Sequence, residues 1–263
     1  MMFINFIFLF IFGTLIGSFL NVIIWRWPRG EKISGRSQCP RCHKSLAYLE
    51  LIPLVSYVVL NGKCSNCQKP ISPRYFIIEL VTGLLFAFAS AQSLLVTPID
   101  FALLLRILFI IAILVVVFVI DLEHYLILDI VVLPATGVLL VFNIVLDAVA
   151  HRPLASVTVD SIIAALLASG FFYLIWKISS GRWMGLGDVK FNIFLGVALG
   201  VVNIIVALFA AFMIGAVVGV ILLLTGKKQM NSKIPFGTFL SVGALLALFY
   251  GMPLFRWYFS LIG

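Results

Sequence analysis

Long apolar runs, each near the length of a bilayer crossing and divided by short polar segments, leave this chain few ways to fold. Hydrophobic residues make up 63% of its 263 positions, against about 45–50% in a soluble domain, and mean hydropathy is +1.21. Runs near 20 apolar residues read as membrane helices. Backbone in lipid must satisfy its own hydrogen bonds, and these runs are continuous rather than alternating, so helices are expected and a barrel is not. The first run has no basic residue at its start and is too long for a secretory signal, so it reads as a retained span.

The pattern predicts an all-α, polytopic membrane helix bundle of about eight transmembrane helices. They fall at about 2–24, 75–96, 101–120, 130–147, 154–176, 189–203, 204–225 and 235–257. The sixth and seventh are divided by no polar loop. Together, 189–225 would make about 55 Å of helix, roughly two bilayer cores. A turn is therefore expected near Gly200, Val201, Val202 and Asn203. The domain reading is 1–24, a first transmembrane helix; 25–74, a small loop domain that carries all four cysteines; and 75–263, a transmembrane core.

Basic residues set the orientation. Of the 18 Lys and Arg, all but Arg106, Arg152 and Arg256 fall on one side if the loop 25–74 is cytoplasmic. Both termini are then periplasmic, and Asp121, Asp129 and Asp188 lie at the cytoplasmic edge. The formal net charge of +8 clusters beside spans, which points to orientation and anionic lipid contact rather than to nucleic acid.

All four cysteines sit in that first loop, as Cys39-Pro40-Arg41-Cys42 and Cys64-Ser65-Asn66-Cys67. Two such turns, 21 residues apart, suit one tetrahedral zinc, because each short turn aims two thiolates at a common point. A cytoplasmic loop keeps thiols reduced. Four protein ligands leave no open position for chemistry, so the site reads as structural. His43 is a spare ligand candidate that the fourth cysteine makes unnecessary. The apolar stretch Leu46 to Leu60 is expected to form a small core or a surface lying against the membrane.

Carboxylates are few: ten in all. Asp121 closes an apolar run, and Asp188 follows Gly185-Leu186-Gly187. Two close carboxylates cannot both ionise cheaply, so one stays protonated; such a pair can activate water and polarise a peptide carbonyl. Either aspartate alone reads equally well as a loop or helix-cap residue. Asp129 competes with Asp121 as partner, or caps the fourth span. Glu79 complements a helix dipole beside Arg74. Glu123 and His124 read as solvated, and Asp100, Asp147 and Asp160 as span-end residues.

Nearly end to end, the chain resembles the bacterial type IV prepilin peptidases, GxGD-type membrane aspartyl proteases. The resemblance rests on GSFLNVIIWRWP at 17–28, both CxxC pairs, ELIPLVSYVVLNGKC at 50–64, ISPRYFIIELVTG at 71–83, the Asp121 segment, GLGDVK at 185–190 and IPFGTFLSVGA at 234–244. It implies Asp121 and Asp188 as the catalytic pair, Asp129 as a non-catalytic neighbour, and zinc on Cys39, Cys42, Cys64 and Cys67. The implied partners are prepilins or pseudopilins of type IV pili or type II secretion. Their short basic leader ends in Gly, before an apolar helix. It also implies N-methylation of the new N-terminus with S-adenosylmethionine; no glycine-rich nucleotide loop is visible, and only Glu50 and Glu79 in the 25–80 region stand out for it. The family often has Pro where this chain has Leu128 and Thr238. Neither departure is expected to touch a catalytic group.

Two other classes compete. A proton- or ion-coupled transporter would place carboxylates near the bilayer midplane. A membrane thiol oxidoreductase would need the cysteine loop outside, against the charge distribution.

Overall fold

The computed structural model describes residues 2–92, 97–150, 157–226 and 234–262. Arg152, Lys227, Lys228 and Lys233, which entered the charge argument, lie outside these residues, as do 93–96 and 154–156 from the predicted spans. The chain divides into two compact units, Met1–Val116 and Val117–Gly263.

In the first unit, helix α1 (Met2–Arg26) runs antiparallel to α3 (Pro73–Gln92). Between hydrocarbon chains no hydrophobic gain drives helices together, so close approach through small residues must do it. A Cβ on Gly13 would lie 2.8 Å from the Gly83 Cα, and one on Gly17 would lie 2.8 Å from the Glu79 Cα. One turn further on, the Asn21 amide donates to the Tyr75 carbonyl at 3.1 Å. Between these helices the cysteine loop carries one short helix, α2 (Val55–Val59). Tyr48, Leu49, Val58 and Val59 of that apolar stretch are exposed, so it forms a surface rather than a core. Helix α4 (Pro98–His124) begins in this unit and ends in the next.

The second unit adds α5 (Asp129–Val149), α6 (Thr158–Ile178), α7 (Leu186–Leu224) and α8 (Phe236–Ile262). Among the described residues, seven helices are long and apolar enough to cross a membrane. One of them, α7, has 39 residues and breaks at Gly200, where φ is 75° and ψ 174°. Only glycine adopts that conformation freely. The neighbours of α7 show what the break does. Along α6, Asp160 accepts a hydrogen bond from the Val201 N–H at 3.2 Å, Ala165 abuts Gly196, and Phe172 stacks on Phe212. From Asp160 onward the first arm therefore runs back along α6 while the second runs forward. The helix is a hairpin with its tip at Gly200, where the sequence placed a turn, so the seven helices give eight long helical segments among the described residues. The first arm, Leu186 to Leu199, is the short one, at about 21 Å.

Helix α8 lies antiparallel to the second arm. Gly251 meets Asn203, Gly243 meets Ala207 and Ala211, and Gly215 meets Phe239. Buried polar groups pin the tip end. Asn143 donates to the Ser161 hydroxyl at 2.8 Å and to the Val197 carbonyl at 3.1 Å. Asp147, 1% exposed, accepts from the Thr158 N–H and hydroxyl. Asp147 and Asp160 are thus span-end residues with a definite task, capping helix starts.

Gly196 is the tightest of these contacts, because a Cβ there would collide with the backbone of Ala164 and Ala165. No flexible side chain can yield. Gly196→Val is expected to destabilise the second unit by about 3 kcal/mol, read as a lowered melting temperature in detergent.

Candidate active site and metal centre

Asp121 sits one turn before the end of α4 and is 5% exposed. Its Oδ2 accepts two hydrogen bonds from the start of α8, from the Thr238 N–H at 2.6 Å and the Thr238 hydroxyl at 3.1 Å. Gly237 permits the approach, since a Cβ on it would lie 3.0 Å from the same oxygen and 3.0 Å from the Ile127 Cδ1. The expectation that Thr238 touches neither candidate aspartate is therefore corrected: it donates to Asp121 directly. Spacing could not reveal this, because the two residues are 117 positions apart.

Asp188 is the third residue of α7. Its Oδ2 accepts from the Gly185 N–H at 3.3 Å, so it also serves as a cap for its own helix. A Cβ on Gly187, beside it, would lie 3.1 Å from the Ile127 Cβ. Ile127 thus packs near both Gly187, beside Asp188, and Gly237, beside Asp121, and Asp121 lies within electrostatic range of Asp188. One turn below Asp188, Asn192 is fully buried. Its amide donates to the Asp188 carbonyl at 2.9 Å, while its Oδ1 has no protein partner. Asn192 was missed; a lone Asn in an apolar run one turn after Asp188 was the available signal.

Asp129 stands apart from this cluster. It begins α5, is half exposed, and pairs with the Lys190 ammonium at 2.6 Å. The ion pair ties the start of α5 to the start of α7, a sufficient structural task for Asp129.

The cysteine loop forms two equivalent turns. The Cys39 N–H donates to the Lys44 carbonyl and the His43 N–H to the Cys39 carbonyl; Cys64, Lys69 and Gln68 repeat both bonds. His43 and Gln68 occupy the same left-handed position, each with φ of 56°. His43 is therefore a turn residue, and all four cysteines are free thiols. Their four Sγ atoms lie within 4.8 Å of one another, with Cys39 to Cys67 and Cys42 to Cys64 both at 3.9 Å. A tetrahedron with metal–sulfur bonds of about 2.3 Å needs sulfurs about 3.8 Å apart. The cluster could hold a metal ion. The Lys44 backbone N–H and then the Asn66 amide lower the Cys42 thiol to about 6, which favours the thiolate that metals require. Nearby, Glu50 accepts from the Ser65 hydroxyl and from the Ala47 N–H; these bonds hold its carboxyl below the ordinary value.

Two family models match the chain. The Bacterial Peptidase A24 N-terminal domain covers residues 11–93, and the Type IV leader peptidase family covers 107–220. Proteins named prepilin leader peptidase/N-methyltransferase align over nearly the whole length. That of Aeromonas salmonicida (strain A449) is 31% identical over 96% of this chain and 93% of its own. That of Bacillus subtilis (strain 168) is 35% identical over 96% and 97%. The chain belongs to the type IV leader peptidase family. A third relative of the same name, from Pseudomonas aeruginosa PAO1, is 30% identical over 95% of this chain and 92% of its own. No solved structure matches. Family membership, with helices able to cross a bilayer, makes the chain a multi-pass inner-membrane enzyme. Nothing in the matches favours the transporter or the thiol oxidoreductase.

Proposed function

We propose that Asp121 and Asp188 are the catalytic pair of a membrane aspartyl endopeptidase. It removes the basic leader of type IV prepilins or pseudopilins after a Gly, at the cytoplasmic membrane face. The observation that carries this reading is the meeting of the two carboxyl-bearing segments around Ile127, with Asp121 clamped by Thr238. The names borne by the relatives supply the substrate class. In this reading 25–74 is a zinc domain, 75–263 the protease core, and both termini are periplasmic. Fifteen of the eighteen Lys and Arg then lie inside, as the charge rule requires. Because that surface is basic, a basic leader gains little from it, and the apolar helix of the substrate must dominate binding.

The hydrogen bonds favour one division of roles. Two donors on one oxygen favour the charged form of Asp121; Asp188 accepts one, longer bond. Asp121 is therefore the base that takes a proton from water as the water oxygen attacks the carbonyl carbon. Asp188 is the acid that protonates the carbonyl oxygen. On collapse, Asp188 regains its proton and the departing amine takes the one held by Asp121.

Thr238→Val removes the hydroxyl donor and keeps the backbone one. Cleavage of a synthetic prepilin peptide is expected to fall about tenfold, on the scale of one charge-assisted hydrogen bond. The acidic limb of its pH profile should move upward, because Asp121 then ionises less readily. Thr238→Ser should restore both. An unmoved pH profile in Thr238→Val would reverse the assignment of base and acid.

Zinc on Cys39, Cys42, Cys64 and Cys67 would hold the two turns together as a structural centre. Sulfur spacing near that of a tetrahedral site supports it. N-methylation, in the names of the relatives, requires S-adenosylmethionine, which when bound supplies an electrophilic methyl group. The first unit offers a donor set for such a cationic ligand in Asn21, Glu79 and the aromatic side chains around them.

A further inference from the structure

In the first unit a cavity of about 430 Å³ lies where α1, α3 and the cysteine loop converge. That falls within the roughly 300–1,000 Å³ of small-molecule sites. One polar group in its wall lacks an ordinary structural explanation, and a carboxylate lies close by. Asn21 is 3% exposed, and its amide nitrogen is satisfied by the Tyr75 carbonyl, but its Oδ1 has no partner. A buried, unmet acceptor costs about 1–3 kcal/mol, so it is retained for something that donates to it. Glu79 stands one helical turn from Tyr75 on α3 and borders the same cavity; its Oε2 accepts the Leu54 N–H at 2.9 Å. Trp25, Tyr57, Tyr75 and Phe76 supply an aromatic wall.

The rim arginines are already engaged by neutral protein acceptors. Arg26 donates to the carbonyls of Lys32, Ile33, Ser34 and Arg36, Arg29 to that of Trp25, and Arg36 to the Tyr48 hydroxyl. The occupant must therefore offer a donor to Asn21, a cation near Glu79 and a flat ring to the aromatics. A phosphorylated nucleotide lacks the cation, and a lipid headgroup lacks the ring. We propose that this cavity binds S-adenosylmethionine, with Asn21 Oδ1 accepting from a ligand donor, Glu79 facing the sulfonium or ammonium charge, and the adenine against the aromatic wall. The assignment rests on the methyl-transfer reading above. It places the methyl donor in the unit that does not carry Asp188.

The test uses the full chain purified in detergent, loaded with zinc. Radiolabelled S-adenosylmethionine is cross-linked by ultraviolet light and the labelled peptides are mapped. Label is expected on peptides carrying Trp25, Tyr57 or Tyr75. Label confined to 117–263 would overturn the proposal while leaving the methyl-transfer reading intact. No binding by the wild-type chain at all would sink that reading and the proposal together. In calorimetry with S-adenosylhomocysteine and S-adenosylmethionine, Asn21→Leu should weaken both ligands about tenfold. Glu79→Gln should weaken the sulfonium ligand more than the neutral thioether. Equal weakening of the two by Glu79→Gln would remove the charge role, and wild-type affinity in Asn21→Leu with normal melting would refute the site.

Discussion

Asp121→Asn and Asp188→Asn should each abolish leader cleavage, by at least about 10³-fold, while the protein still inserts and melts near the wild-type temperature. The magnitude follows from how paired catalytic groups behave: losing one disables the other, so single losses approach the double loss. Asparagine keeps the shape of the side chain but cannot accept or deliver the proton. At Asp121 it can still accept from the Thr238 N–H and hydroxyl, and at Asp188 it can still cap α7, so folding is spared. The double variant should be no slower than the slower single one. Asp129→Asn is the contrasting case. It breaks an exposed pair with Lys190 and should cost well under 1 kcal/mol of stability. Retained cleavage by Asp121→Asn or Asp188→Asn would remove that residue from the mechanism.

Removal of the metal is expected to unfold the cysteine loop. This loop owns few buried apolar side chains: Tyr48, Leu49, Val58 and Val59 face outward, and its ordered helix α2 has only 5 residues. On the zinc reading, a segment so poor in core would draw its stability from the metal. Cys64→Ser leaves three thiolates and should lower zinc to well below one equivalent per chain. Limited proteolysis should then cut between about 30 and 70, with the membrane helices intact. Stoichiometric zinc in Cys64→Ser would rule out four-cysteine ligation. Since Cys39 and Cys64 also border the cavity beside Asn21, stripping the metal should weaken binding of the methyl donor as well.

The sequence carried much of this. Length and continuity of the apolar runs are local properties, and they specified a helical bundle because lipid permits little else. The double CxxC spacing specified a four-sulfur cluster able to hold a metal ion, since each short turn already fixes two sulfurs. The turn near Gly200 was legible from arithmetic: a mostly apolar run of 37 residues, 189–225, without a polar loop exceeds one bilayer. What was not legible depends on contacts between distant segments. Whether Asp121 or Asp129 lay nearer Asp188 depended on packing between distant helices, and the Lys190 ion pair that engages Asp129 has no sequence signature. Thr238 looked like a neutral departure because its N–H and hydroxyl reach Asp121 only after α8 packs along the second arm of the hairpin. The orphaned oxygen of Asn21 is visible only once α1 crosses α3. The primary sequence determined which segments enter the membrane and which residues can do chemistry. Tertiary structure decided which of those residues meet, because hydrogen bonds and packing act across space and are indifferent to distance along the chain.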